Sequence, residues 1–420
     1  MSKRIAIIGS GISGLTCAYL LHKKFDITLY ESGDYIGGHT ATKQVTVNGQ
    51  NYAIDTGFIV YNDWTYPNFI KLMEQLGVAT QPTEMSFSVS NRPRNFEYNG
   101  HNLDTLFAQR RNILRPGFYR LLADIVKFNR LCKNEKITNA QLDLTLGEFI
   151  QQHKLSESFA ENYILPMCAA IWSTSLEGAK GFPLKFFLRF FNNHGLLNIA
   201  NRPQWHTIIG GSAQYIAPIT AGFRDKILLN SPVESVARHS GQYLVTAKGQ
   251  DPSLFDEVIF ACHSDQALNM LAAPTEQQQT ILGALTYADN DVVLHTDTSV
   301  LPSHRKAWAS WNYLIKGFDG EHMAPASVTY NMNILQCLDA PVTFCVTLNN
   351  SQEIAAEKIL GRYTYAHPQV TEASVLAQQQ RKHICGVRGL HFCGAYWYNG
   401  FHEDGVRSAL DVCTRFGVSL

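Results

Sequence analysis

The 420-residue sequence predicts an α/β chain in which separated stretches supply one parallel sheet and a second unit lies between them. Three observations carry that expectation. The first forty residues read as strand, glycine turn, helix and strand. Short apolar runs of strand type recur in the middle of the chain and again near its end. The intervening stretches switch from helical to strand-rich patterning.

Ile5-Ala6-Ile7-Ile8 is a continuous apolar run, as a strand buried on both faces requires. Gly9-Ser10-Gly11-Ile12-Ser13-Gly14 follows at once. Leu15, Ala18 and Leu21 mark the apolar side of a helix, with His22, Lys23 and Lys24 at its end. Ile27-Thr28-Leu29-Tyr30 is a second strand, ending at Glu31. Residues 101–200 read as mainly helical. Residues 205–262 return to strands at Ile227-Leu228-Leu229, Tyr243-Leu244-Val245 and Val258-Ile259-Phe260, with Gly249-Gln250-Asp251-Pro252 as the turn between the last two. Residues 291–348 are strand-rich and aromatic. Leu390-His391-Phe392-Cys393 is a final strand, and residues 405–416 a final helix. Residues 1–75, 205–265 and 385–420 are therefore expected to form one discontinuous Rossmann-like domain. Residues 76–204, largely helical, and 266–384, strand-rich, would form a second domain of mixed sheet and helices.

Thirty-five basic and 35 acidic residues cancel. That balance argues against a nucleic-acid binder working through phosphate neutralisation. Charged residues are only 17% and aromatics 11%, so part of the apolar surface is expected to face an apolar ligand. Nine scattered cysteines with no CxxC pair fit a reducing compartment and point to no metal site. The apolar stretch behind Lys3-Arg4 is too short for a signal peptide, and no run approaches the ~20 apolar residues of a membrane span. The expected location is the cytoplasm.

The glycine run is most informative for its context. It follows a strand, opens a helix and precedes Glu31 by the spacing of a dinucleotide fingerprint. Glycines permit the tight turn, and the backbone of Gly9, Ser10, Gly11, Ile12, Ser13 and Gly14 can approach a pyrophosphate at the helix N-terminus. Glu31, with Ser32 beside it, would accept hydrogen bonds from the adenosine ribose. A 2′-phosphate would meet that charge, with no Lys or Arg at 32 or 33. A glycine turn without a ligand is the plain alternative.

Gly37-Gly38-His39-Thr40 and Asp55-Thr56-Gly57-Phe58 then favour FAD over NAD. With the fingerprint, they resemble the flavin-containing amine oxidase superfamily, which includes monoamine oxidases, protoporphyrinogen oxidase and phytoene desaturases. Ser231-Pro232-Val233 resembles the segment whose Val main chain meets the adenine. Val258-Ile259-Phe260-Ala261-Cys262 resembles the later strand that ends beside the cofactor. Phe392-Cys393-Gly394, with Gly400-Phe401-His402-Glu403-Asp404-Gly405-Val406, resembles the C-terminal flavin motif. The resemblance implies noncovalent FAD, because the covalent-flavin Cys motif of monoamine oxidases has no counterpart. On physical grounds Asp404 is expected to N-cap the last helix, with amides near Gly405 and Val406 presenting positive dipole to the flavin. The chain departs from the superfamily at His39, where Arg is usual, and at Ala395, where an acid is common. It departs again at Asp291, which stands where many members carry a flavin-facing Lys.

Amine oxidases hold the substrate nitrogen between two aromatic rings. Phe401 falls near one such position, and Tyr363 or Tyr365 near the other; core packing is the plain alternative. His295 and Asp297, two apart on a strand, would share a face and are a candidate proton-transfer pair, with a structural role as the alternative. Phe182, Phe186, Phe187, Phe190 and Phe191 could wall an apolar tunnel or simply fill a core. Residues 101–136 hold eight Lys or Arg against three acids, which suits either a solvated face or anionic head groups. The resemblance extends to a bacterial, lipid-associated branch of the superfamily encoded beside fatty-acyl modifying enzymes. It implies hydride transfer from a substrate carbon to flavin N5 in a lipid or fatty-acyl desaturase or oxidase. A lipid small molecule is the expected partner, with peripheral contact at the inner face of the membrane and no nucleic acid. An amine or polyamine oxidase, a flavin-dependent lipid isomerase and a non-enzymatic flavin-binding protein stay open.

Overall fold

The computed structural model describes residues 2–133, 142–198, 200–317 and 320–420. Five parallel strands form one sheet, in the order Ile227–Leu228, Asp26–Tyr30, Arg4–Ile8, Glu257–Phe260, Leu390–Phe392. Three distant stretches of chain therefore meet in one sheet. Ile5, Ala6, Ile7, Leu29, Val258, Ile259, Phe260 and Phe392 are almost fully buried, which is why these strands read as unbroken apolar runs. The first helix, Ile12–Leu21, and the final helix, His402–Cys413, pack against each other beside this sheet.

A seven-stranded mixed sheet forms the second unit. Its order is Ile359–Pro368, Tyr287–His295, Cys345–Leu348, Val328–Asn331, Trp311–Ile315, Phe87–Asn91, Phe96–Asn99. Only the pairing of Trp311–Ile315 with Phe87–Asn91 is parallel. Two of these strands come from the stretch expected to be largely helical; beyond Leu103 that stretch is helical. Pro116–Lys133, Leu146–Gln152, Leu165–Trp172 and Leu184–Asn193 surround an aromatic interior. Among the described residues, no helix is long and apolar enough to cross a membrane, and no cluster of three or more His, Cys, Asp or Glu could hold a metal ion.

The phenylalanine run lies inside this helical lobe. Phe187 and Phe191 are fully buried, while Phe182, Phe186 and Phe190 are nearly so. Trp172 sits at the centre, with ring centroids 4.4 Å from Phe182 and 4.8 Å from Phe190. Phe187 stacks on Phe191 at 3.9 Å. These rings fill a core instead of lining an open tunnel, because each finds its apolar partner among the others. Each buried ring contributes about 1.5–3 kcal/mol.

Candidate functional site

The glycine turn is held by backbone contacts that admit no side chain. Gly9 has φ +104°, and a Cβ there would stand 2.9 Å from the Ala261 carbonyl oxygen. A Cβ on Gly14 would lie 1.9 Å from the Gly9 carbonyl oxygen. Gly11 differs: a Cβ there would meet nothing within 4 Å. It caps the first helix with open space before it, where the unbonded amides of Ile12, Ser13 and Gly14 begin. The second glycine pair closes over this turn. Gly37 bridges Gly11, and a Cβ on Gly38 (φ +59°) would lie 3.3 Å from the Gly11 Cα.

Glu31 is held where the second strand ends. One carboxylate oxygen accepts from Ser10 N at 2.9 Å and Ser10 Oγ at 2.5 Å; the other accepts from Gly33 N at 2.8 Å and Ser32 Oγ at 3.3 Å. The serine hydroxyls are the partners that can rotate aside for ribose hydroxyls. Ser231 N donates to the Glu31 carbonyl at 2.8 Å, which sets Ser231-Pro232-Val233 beside it. Ala261 N donates to the Ile8 carbonyl at 2.8 Å, so that residue abuts the glycine turn. The open face of Gly11 and the surrounding donors fit an anionic dinucleotide.

His39 emerges from the second glycine pair, and its carbonyl accepts from Phe58 N at 2.8 Å. A Cβ on Gly57 would lie 2.2 Å from that carbonyl oxygen, so glycine is required there as well. The His39 ring packs within about 6 Å of Tyr365, His367 and His263. Its Nε2 is shut off from solvent and has no hydrogen-bond partner among the described residues. Burial, then His367 and His263, pushes the imidazole down to about 3. His367 Nδ1 meets Ser173 Oγ at 2.8 Å, and burial lowers this imidazole to about 4. Ser173 itself ends the helix Leu165–Trp172 at φ +49°. His263 stacks on Tyr287 at 4.2 Å and 8°. The site is thus a joint of neutral imidazoles drawn from segments beside both sheets, with Ser173 contributed by the helical lobe.

On the far side, Thr40 hydroxyl, Tyr215 hydroxyl and His402 Nε2 form a buried cluster; Tyr215 lies 2.9 Å from His402. Phe58 stacks on His402 at 3.7 Å and 7°. Thr56 Oγ1 meets Tyr365 hydroxyl at 2.8 Å, and burial pushes that phenol up to about 12. Gly394 N donates to Ser408 Oγ at 2.9 Å, tying Gly394 and Ala395 to the final helix.

The final helix starts three residues earlier than expected. Phe401 is its N-cap position, and Asp404 reaches back to accept from Phe401 N at 2.9 Å. Asp404 is therefore at N3 and not the N-cap. Gly405 N donates to the Phe401 carbonyl, so the unbonded amides are those of His402, Glu403 and Asp404, ahead of Gly405 and Val406. Burial raises the Asp404 carboxyl to about 7, with Glu403 adding to the shift. A Cβ on Gly405 would lie 2.6 Å from Ile12 Cγ2, and Ser13 Oγ donates to the Gly405 carbonyl at 2.9 Å. The first turns of the two helices consequently abut.

Three further expectations change. His295 is fully buried; its Nε2 bonds Thr347 Oγ1 at 2.7 Å and its Nδ1 accepts from Asp297 N at 3.0 Å. Both nitrogens are thus engaged by partners within the sheet and its adjoining turn. Asp297 lies beyond the strand end and pairs with Lys358. Asp291 lies on the opposite strand face from Tyr365, because Tyr365 opposes Asn290 and side chains alternate. Asn290 is the residue that shares Tyr365's face. Phe401 stacks on Phe190 at 5.1 Å, whereas Tyr365 packs on His39 and Tyr363; no ring contact joins Phe401 to Tyr365. His263, His367 and Ser173 have no sequence signal of their own, since neighbours from remote segments define them.

Comparison with known proteins bears on this arrangement. The family model described as flavin containing amine oxidoreductase matches residues 12–321. No curated protein matches the chain. Cyclohexylamine oxidase from Brevibacterium oxydans IH-35A has a similar structure, with a TM-score of 0.70 at 15% identity, covering 99% of this chain and 100% of that one. A CLA-producing fatty acid isomerase from P. acnes aligns with a TM-score of 0.68 at 16% identity, covering 99% and 98%. Reduced UDP-galactopyranose mutase aligns with a TM-score of 0.70 at 15% identity, covering 99% and 94%.

Proposed function

This chain belongs to the flavin containing amine oxidoreductase family, and from that premise we propose that it oxidises an apolar lipid or fatty-acyl chain at carbon. It is an FAD-dependent oxidoreductase. FAD, when bound, supplies the acceptor for hydride from a substrate carbon. The residues that would hold it are the glycine turn, Glu31, Gly37-Gly38, the Val233 and Ala261 segments, Gly394-Ala395 and the first turn of the final helix.

The observation that carries the lipid reading is the stacking of Phe401 on Phe190. Phe401 packs against both the parallel-sheet core and the core of the helical lobe. An acyl chain reaching Phe401 would bury methylenes against an apolar ring, at about 0.8 kcal/mol per methylene removed from water. Nearby groups offer little to an ammonium ion. Burial lowers His194 to about 4 and His402 to about 3, so both are neutral near pH 7. The Asp404 carboxylate oxygen already accepts from Phe401 N.

Anaerobic titration of the FAD-loaded protein tests the reading. Unsaturated acyl lipids should bleach the oxidised-flavin absorbance, with affinity rising with chain length. Rapid bleaching by a short polyamine, with no response to any acyl lipid, would sink the proposal in favour of amine oxidation. An acyl product with a moved double bond and no acceptor consumed would replace oxidation by isomerisation.

A further inference from the structure

Exposed apolar side chains concentrate on one stretch of the helical lobe. Of twelve large hydrophobic residues exposed among the described residues, five fall between 103 and 126: Leu103 (76%), Ile113 (46%), Leu114 (86%), Tyr119 (47%) and Val126 (42%). Singly exposed apolar residues are ordinary, but a cluster calls for a partner.

The same stretch is cationic. On the helix Pro116–Lys133, exposed Tyr119, Ala123, Val126, Arg130 and Lys133 follow one another at spacings of four, three, four and three, one face of a helix. Exposed Arg120 and Lys127 flank it. Arg111 and Arg115 donate to the Asn95 carbonyl and Lys127 to the His153 carbonyl, contacts that leave their charge uncompensated. Arg120 and Arg130 have no carboxylate partner among the described residues. Asp104 is shared by Arg110 and Lys306, while Asp124 is buried and accepts from Ser156 N. Lys136 and Glu135, also part of the basic run, lie outside the described residues. The apolar and basic parts are one surface: Tyr119 hydroxyl donates to the Ile113 carbonyl at 2.9 Å, and Arg110 ties the turn after Leu103 to residues 110–114.

We propose that this face docks on the surface of an anionic phospholipid bilayer. Leu103, Ile113, Leu114, Tyr119 and Val126 enter the head-group boundary while the guanidinium and ammonium groups meet phosphates. Charge complementarity selects the occupant, and the protruding leucines favour a bilayer over a nucleic acid. The proposal stands on this surface alone and does not depend on the substrate reading.

Cosedimentation of the FAD-loaded protein with vesicles tests it. Wild type should bind phosphatidylcholine vesicles containing phosphatidylglycerol, lose binding as salt rises, and bind pure phosphatidylcholine weakly. The pair Arg120→Gln and Arg130→Gln should lower partition by about twenty-five-fold, since each surface cation is worth about fivefold. Leu103→Ser with Leu114→Ser should lower it by about tenfold or more. Unchanged flavin content and Tm would show that both variants fold. Equal recovery on both vesicle types, unchanged binding by both variants, or retention on heparin without vesicle binding would each overturn the proposal. The assay involves no turnover, so its failure leaves acyl oxidation standing, and a failed bleaching titration leaves docking standing.

Discussion

The glycine-turn end of the parallel sheet and the aromatic interior of the helical lobe meet at Phe401, and they are built on opposite principles. At the turn, backbone meets backbone: Gly9 and Gly14 leave no room for a methyl group, and neither does Gly57 against the His39 carbonyl. In the lobe, side chain meets side chain: Trp172, Phe187, Phe190 and Phe191 fit through ring contacts supplied by separate helices. A site that grips a ligand with main-chain amides depends on absent side chains, whereas an apolar wall depends on which large ones face inward.

The largest effect expected from this contrast lies in the turn. Gly14→Ala should destabilise the apoprotein by about 3–5 kcal/mol and leave it colourless, because the clash is with backbone. Gly11→Ala sharpens the point. It should leave apoprotein stability within about 1 kcal/mol, yet weaken FAD binding, as flavin-fluorescence quenching during reconstitution would reveal. Equal stability losses at the two positions would break the distinction. In the lobe, Phe190→Ala should cost about 3–4 kcal/mol in urea unfolding while FAD still binds.

A smaller effect comes from Asp404, where the two regions join. Its folded value near 7 exceeds the ordinary carboxyl value of about 4. The folded state therefore keeps a proton that the unfolded chain releases. That contribution is complete below about pH 4 and is lost as pH rises through about 7. Asp404→Asn should make the apoprotein more stable than wild type by about 2 kcal/mol at about pH 8, the difference vanishing in acid. The imidazoles act with the opposite sign: His39, His367 and His402 are depressed, so their stabilisation is present above about pH 6.5 and fades toward pH 3–4. Parallel urea midpoints for wild type and Asp404→Asn across that range would refute the assignment. The smallest change is Tyr365→Phe, which removes the hydroxyl contact to Thr56 and should cost about 1 kcal/mol by thermal unfolding.

The same contrast explains what could be read in advance. The glycine turn, Glu31 and the Gly37-Gly38 pair are local, so spacing alone exposes them, and the parallel strands announce themselves as unbroken apolar runs. The final helix starts ahead of the position the sequence suggests because Asp404 satisfies an N-terminal donor from N3 as well as a cap would. Asp291 faces away from Tyr365 because a one-residue offset reverses a strand's faces, and only the pairing with Ile359–Pro368 settles the offset. His263 and His367 stand beside His39 through strand ends far apart in the chain, a relation that no periodicity encodes. The strand Phe87–Asn91 likewise gains its role from a remote partner at Trp311–Ile315, and Phe96–Asn99 joins the sheet through it.

The interrupted make-up of the parallel sheet also imposes a timetable on biosynthesis. The strand Arg4–Ile8 reaches its neighbour Glu257–Phe260 only after about 250 more residues have been made, an interval of roughly 12–50 s at ~5–20 residues per second. The edge strand Leu390–Phe392 and the helix that presses Gly405 against Ile12 arrive later still. Until then the apolar strand has no lasting cover on one side, and nascent chains are exposed to association with one another or with chaperones. Because the sheet is complete only once Leu390–Phe392 has been made, a chain stalled before residue 390 should accumulate as colourless, aggregation-prone material.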